Sequence, residues 1–240
     1  GMDTKTFLDQ LLQAGRELAT QGRDLAGRGM DMAEQRLGIP EEGPEREAAL
    51  STLGKGAAAG GVLALLLGTG SGRKLTGGAL KVGGLAALGG LAYQAWRNWQ
   101  GSDAGEPADI GAPVDRLSGP EAEQRSRVLL RAMLAAARSD GHIDTTERAR
   151  IHDGIRQLGL EETVLQLIEN ELDEPVDAAL IARDADSPEA AAEIYLVTLM
   201  VIDPDQPDER RYLQDLAEHL KLEPGLVQVL EARAGDVAAA

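Results

Sequence analysis

The chain has 240 residues, a formal net charge of −16, no cysteine and six aromatic side chains. That length holds one large domain or two small ones. The missing cysteines exclude a disulfide framework, a thiolate metal site and a cysteine nucleophile. The acidity argues against nucleic acid as a partner, because phosphate binding needs clustered Lys and Arg.

The charge is unevenly spread. Residues 1–100 carry 11 basic and 10 acidic groups, whereas 101–240 carry 13 and 30, a net of −17. Within the first part, 51–100 has five basic side chains and no acidic one. Such a break points to modules in different environments. The pattern divides the chain into an N-terminal helical leader (1–50), a Gly-rich apolar hairpin (51–100), a linker (101–119) and a helical bundle (120–240). No signal peptide is expected, since the first apolar run comes late.

Residues 3–37 read as a helix with an internal heptad. Leu11, Leu18, Leu25 and Met32 form one seam, with Gly15, Gly22 and Gly29 beside it. A seven-residue apolar period favours coiled packing, and glycines at fixed spacing suit close backbone approach. An amphipathic leader is the plainer reading. Gly38-Ile39-Pro40 ends the helix.

Between Gly54 and Gly90, thirteen of 37 residues are glycine. Two uncharged runs stand out, Gly56–Gly72 and Val82–Trp96, bounded by Lys55, Arg73, Lys81 and Arg97. Gly56, Gly60, Ala64, Gly68 and Gly72 place a small residue every four positions, and Ala79, Gly83 and Ala87 repeat this more briefly. That spacing lets helices touch backbone to backbone, as in membrane helix pairs. Tyr93, Trp96 and Trp99 sit where an interfacial aromatic belt would. Both runs are shorter than the roughly 20 residues a spanning helix wants. A Gly/Ala hairpin buried in a soluble oligomer, or a flexible glycine-rich linker, is the competing reading. Residues 101–119 follow as a linker rich in Pro, Gly and Asp.

From 120 onward the pattern is wholly helical. Apolar residues recurring at three and four predict helices near 120–138, 145–158, 161–172, 176–184, 188–201, 207–220 and 225–233. Ser187-Pro188-Glu189 is a helix start, with Ser as cap and Pro in the first turn. The fold class is all-α, and short loops between such helices make a bundle.

Two loops of this module share a theme. Ser139-Asp140-Gly141-His142-Ile143-Asp144-Thr145-Thr146-Glu147 and Asp203-Pro204-Asp205-Gln206-Pro207-Asp208-Glu209 each follow an apolar helix and open another. Calcium or magnesium is held by several carboxylate and carbonyl oxygens. Asp140, Asp144 and Glu147, with Asp203, Asp205 and Glu209, are therefore candidate ligands of a divalent cation such as calcium. The positions where a calcium hand would place its first acids hold Ala136 and Arg138, so an ordinary hand is not expected. Helix capping is the competing reading. Asp144 with Glu147 forms a capping box, and Asp205 with Pro207, Asp208 and Glu209 suits a second helix start.

Catalysis gains little support. His142 sits among acids and suits a ligand or a pH sensor; His152 and His219 occupy ordinary helical positions. No nucleophile motif, phosphate loop or paired-His zinc spacing occurs, so no enzyme is expected.

Ala135-Ala136-Ala137-Arg138-Ser139-Asp140-Gly141-His142-Ile143-Asp144-Thr145-Thr146-Glu147 resembles the signature of the TerB-like tellurite-resistance helical domain. Glu193-Ile194-Tyr195-Leu196-Val197-Thr198-Leu199-Met200-Val201-Ile202-Asp203-Pro204-Asp205, with Glu209-Arg210-Arg211-Tyr212-Leu213, resembles the related family called domain of unknown function 533. That family also joins a glycine-rich apolar segment to a helical module. The resemblance implies an all-α bundle with metal-ligating acidic loops, in a bacterial protein often labelled as an inner-membrane protein. By motif match the same six acids carry over. The second loop has Pro where the first has Gly and departs by one residue in its Asp-to-Glu spacing.

The expected function is a non-enzymatic scaffold or stress-response protein at the bacterial inner membrane, with its helical module in the cytoplasm. That module would bind a divalent metal or a protein partner. The alternative is a soluble, self-associating, cytoplasmic interaction protein whose acidic loops only cap helices.

Overall fold

One stretch, Pro188–Val201, sets the architecture, because its sequence PEAAAEIYLVTLMV is apolar around nearly the whole helical circumference. A helix of that kind has to be enclosed. In the computed structural model, which describes residues 3–13, 84–100, 110–139, 145–156, 159–202 and 206–239, that helix is buried from Glu189 to Thr198. The described helices are α1 (residues 4–13), α2 (Leu85–Gln100), α3 (Gly119–Ala137), α4 (Thr145–Arg156), α5 (Glu162–Asp173), α6 (Ala178–Ala182), α7 (Pro188–Val201), α8 (Pro207–His219) and α9 (Pro224–Ala239). No strand occurs among the described residues, so the chain is all-α. Helices α3, α2, α9 and α8 pack around α7, while α5 lies on α3, and α6 on α8.

All seven helices expected beyond residue 120 form. Ser187 Oγ accepts from Ala190 N at 3.1 Å and starts α7, as its sequence predicts. Helix α6 is shorter than the predicted 176–184, because the chain turns at Arg183 and Asp184. Helix α9 runs on to Ala239, past the predicted 233, since no proline interrupts its Ala-rich end.

The leader and the glycine-rich segment both contribute to the same core. Phe7, Leu8, Leu11 and Leu12 of α1 are each at most 1% exposed and join one apolar cluster with Leu88, Leu129, Ile168, Tyr195 and Leu230. Asp3 Oδ1 accepts from Thr6 N, and Glu123 of α3 accepts from Thr4 N and Lys5 N. Those bonds satisfy amides at the start of α1 that the helix itself leaves open. Leu11 thus packs within its own chain; Leu18, Leu25 and Met32 of the heptad seam lie outside the described residues.

Helix α2 contains most of the second uncharged run. Asp9 Oδ1 of α1 accepts from Leu85 N at 3.0 Å and caps it. Its face Leu85, Leu88, Gly89, Ala92 and Ala95 is buried, and the helix packs against α7 and α9. The aromatic trio finds partners inside the fold. Trp96 and Trp99 meet edge to face at 5.6 Å, Trp96 Nε1 donates to Pro188 O, and Trp99 lies on Gly225. Tyr93 lies between Arg97 and Arg116, with guanidinium carbons 6.0 and 5.8 Å from its ring centre. No helix among the described residues is long and apolar enough to cross a membrane. The first run, Gly56–Gly72, lies outside the described residues.

Part of the linker is fitted tightly. Residues 110–117 form a strap containing a short 3-10 turn, Val114–Arg116, and Val114 is fully buried. The strap sits against α2 at Gly89, where an added Cβ would fall 2.5 Å from Asp115 Oδ1 and 3.2 Å from Pro113 Cβ. At Gly90 an added Cβ meets nothing within 4 Å. Urea unfolding should therefore separate these adjacent glycines. We expect Gly90→Ala to gain about 0.5–1 kcal/mol from helix propensity. Gly89→Leu should lose about 2 kcal/mol or more from overpacking.

Candidate functional site

Of the six candidate ligands, Asp140, Asp144, Asp203 and Asp205 lie outside the described residues. Glu147 is the third residue of α4, and its side chain is also outside them. Glu209 is the third residue of α8, and it is buried, at 3% exposure. Of the six, Glu209 alone has its side chain among the described residues. Among them no group of three or more His, Asp or Glu is arranged to hold a metal ion. His142 is outside them, His152 Nδ1 lies 3.4 Å from Glu169, and His219 Nδ1 lies 2.7 Å from Asp215 O on its own helix.

The start of α8 carries Pro207, Asp208 and Glu209 in its first turn, as the capping and dipole expectation has it, while Asp205 lies outside the described residues. Gln206, not Asp205, occupies the N-cap position, and its side chain makes no cap hydrogen bond. Proline at the next position needs no acceptor, which lowers the demand for a cap there.

The two ends of the first acidic loop share an anchor. Arg138, just before it, donates through Nη1 to Glu171 O and to Glu174 O. Arg148, in α4, donates to Leu172 O at 3.1 Å and pairs with Asp173 at 3.2 Å. Both guanidiniums thus serve the open carbonyls at the C-terminal end of α5, where positive charge also suits the helix dipole. Burial, and then the neighbouring Arg148, lower the pKa of Arg138.

Deeper in the bundle lies a charge network that the sequence reading did not single out. Arg125 of α3 is 6% exposed and Glu193 of α7 is 0% exposed, and they pair at 2.7 Å. Glu193 Oε2 also accepts from Val114 N of the strap at 2.8 Å. Arg125 donates to Ala112 O at 3.2 Å and reaches Asp186 and Ser187 Oγ at 3.5 Å. Next to it, Arg131 of α3 bonds Glu171 at 2.7 Å and Asp184 at 2.8 Å, joining α3, α5 and the turn after α6. The available signal was periodicity: Glu189 and Glu193 stand one turn apart inside an otherwise apolar helix.

Removing one member of a buried ion pair strands the other charge, at about 3–5 kcal/mol, whereas replacing both with apolar groups often costs little. We expect Arg125→Ala to lose about that much in urea unfolding at neutral pH. Arg125→Met combined with Glu193→Met should recover only part of it, since Val114 N and Ala112 O of the strap lose those partners.

The chain is 39% identical over 111 residues to a Yersinia enterocolitica protein described as "Uncharacterized protein in ampR 5'region", a match covering 46% of this chain and 74% of that protein. No solved structure matches the chain. Residues 52–234, which span helices α2 to α8 and most of α9, match the family described as Protein of unknown function (DUF533). The chain belongs to that TerB-like family.

Proposed function

We propose that this chain is a non-catalytic binding module whose acidic loops, 139–147 and 203–209, take a divalent cation such as calcium. The observation that carries the reading is the start of α8. Asp208 and Glu209 stand in its first turn, where they suit the helix dipole, and Glu209 is drawn out of solvent at 3% exposure. A carboxylate drawn out of solvent suits a ligand or an ion-pair partner better than a surface cap. Two further features support a shared site. The helices that lead into the loops, α3 and α7, pack directly on one another. Arg138 and Arg148 tie both ends of the first loop to one helix end.

For the glycine-rich segment, the packing of α2 within its own chain favours the reading without a membrane hairpin. The small residues of α2 serve protein contacts, with Ala92 and Ala95 fully buried. Attachment to the bacterial inner membrane then rests on residues 56–72. Fractionation with carbonate and detergent washes decides it: release without detergent sinks the membrane proposal.

Binding that prefers the folded state stabilises it by about 2.7 kcal/mol at a hundredfold excess over Kd. For a domain of this size we expect calcium to raise Tm by about 5–10 °C. The rise should vanish in the double variant Asp140→Asn with Glu147→Gln. An unchanged Tm at millimolar calcium, magnesium and manganese alike would sink the cation reading.

A further inference from the structure

We propose that Glu189 and Glu193 hold one proton between them, and that this proton latches the strap 110–117, with α2 behind it, onto the bundle. The two residues are one turn apart on α7, so their side chains are neighbours, and both are 0% exposed. Glu193 has its donors: Arg125 Nη1 on Oε1 and Val114 N on Oε2. No donor reaches either carboxyl oxygen of Glu189 among the described residues, although both are fully buried. Two ionised carboxylates could offer each other only acceptors. A proton on Glu189 supplies the missing hydrogen, and its O–H then donates to Glu193.

The surrounding charges favour that state. Arg125 is the cation from α3 and is already bonded to Glu193. The strap brings Asp115, which adds like charge, and Arg116, which lies over Tyr93. Asp186, just before α7, draws on Arg125 as well. From α2 come Tyr93 and Arg97, stacked on one another, and from α9 Glu231, which accepts from Tyr195 Oη. Burial, reinforced by Glu193, pushes the Glu189 carboxyl up to about 10. Burial also raises Glu193, against the opposing pull of Arg125 and of Val114 N.

The latch follows from what the pair holds. Glu193 accepts the strap's Val114 N, Arg125 donates to its Ala112 O, and Glu189 N donates to its Ile110 O at 2.8 Å. Once the proton leaves for solvent, two carboxylates compete for one guanidinium in an apolar setting. One of them must turn to water, and the strap loses its anchors. Gly89 of α2 rests on Pro113 and Val114, so α2 loosens with it.

The test uses the full chain. Infrared spectra of the wild type at about pH 8 should keep the carbonyl band of a protonated carboxylic acid, and that band should be missing in Glu189→Gln. The sign of the pH dependence follows from a raised carboxyl. Stability is fully present below the unfolded value of 4.5 and falls as pH rises toward about 10. Between about pH 6 and about pH 9, the unfolding constant of the wild type should therefore climb about tenfold per pH unit relative to Glu189→Gln. Emission of Trp96 and Trp99 should shift red on alkaline titration, before helical circular dichroism is lost, in the wild type only. A wild type without the acid band, or parallel pH slopes, overturns the shared proton. A red shift common to both proteins overturns the latch. The infrared readout needs no variant to fold.

Discussion

The arrangement depends on one buried ion pair, Arg125 with Glu193, because it ties α7 to both α3 and the strap that precedes α3. Moving each ion out of water costs several kcal/mol, and the mutual attraction repays this only when the remaining hydrogen-bonding capacity is also met. Here it is met by backbone: Val114 N on the carboxylate and Ala112 O on the guanidinium. The consequence is registration more than stability. An apolar pair could hold α3 against α7 equally well, but would not specify which peptide of the strap lies over them. Only a donor at Val114 and an acceptor at Ala112 satisfy both charges at once.

With the strap fixed, the approach of α2 becomes a matter of side-chain size. Gly89 lets it come down on Pro113 and Val114, and Gly225 of α9 receives the indole of Trp99. Gly84, at a positive φ of 87°, opens the helix beneath the Asp9 carboxylate. Each contact closes a space that a single methyl group would fill. This also explains why the glycine-rich sequence reads two ways. Small residues at regular spacing are rewarded wherever helix backbones meet, whether the surroundings are lipid or other helices.

The bundle was legible because its signals are local. Periodicity located all seven helices beyond residue 120, and Ser187-Pro188 marked the start of α7 at the right residue. The places where reading failed are those where a distant group decides. The docking of α1 depends on Glu123 and the cap of α2 on Asp9, partners 119 and 76 residues away. The strap passed for linker because Pro and Gly also serve tight, well-bonded turns. At the acidic loops, composition suggested both ligation and capping, and pattern alone could not choose. Glu189 and Glu193 were hidden differently. A charged residue on an apolar face is visible, but its counterion on α3 is not.

The internal use of arginine changes what the module shows to its surroundings. Residues 101–240 carry 13 basic and 30 acidic groups. Arg125 is buried against Glu193, Arg131 bridges Glu171 and Asp184, and Arg138 with Arg148 is turned onto the end of α5. These cations neutralise internal acids and helix carbonyls, so they do little to offset the acids at the surface. Exposed acids such as Glu161, Glu162, Asp208, Asp215 and Glu218 then set the sign of the surface field. Such a field concentrates cations over roughly a Debye length, about 8 Å at physiological salt, and repels polyanions. The bundle uses these four arginines in its own packing, and the acids left at its surface give that surface a negative field.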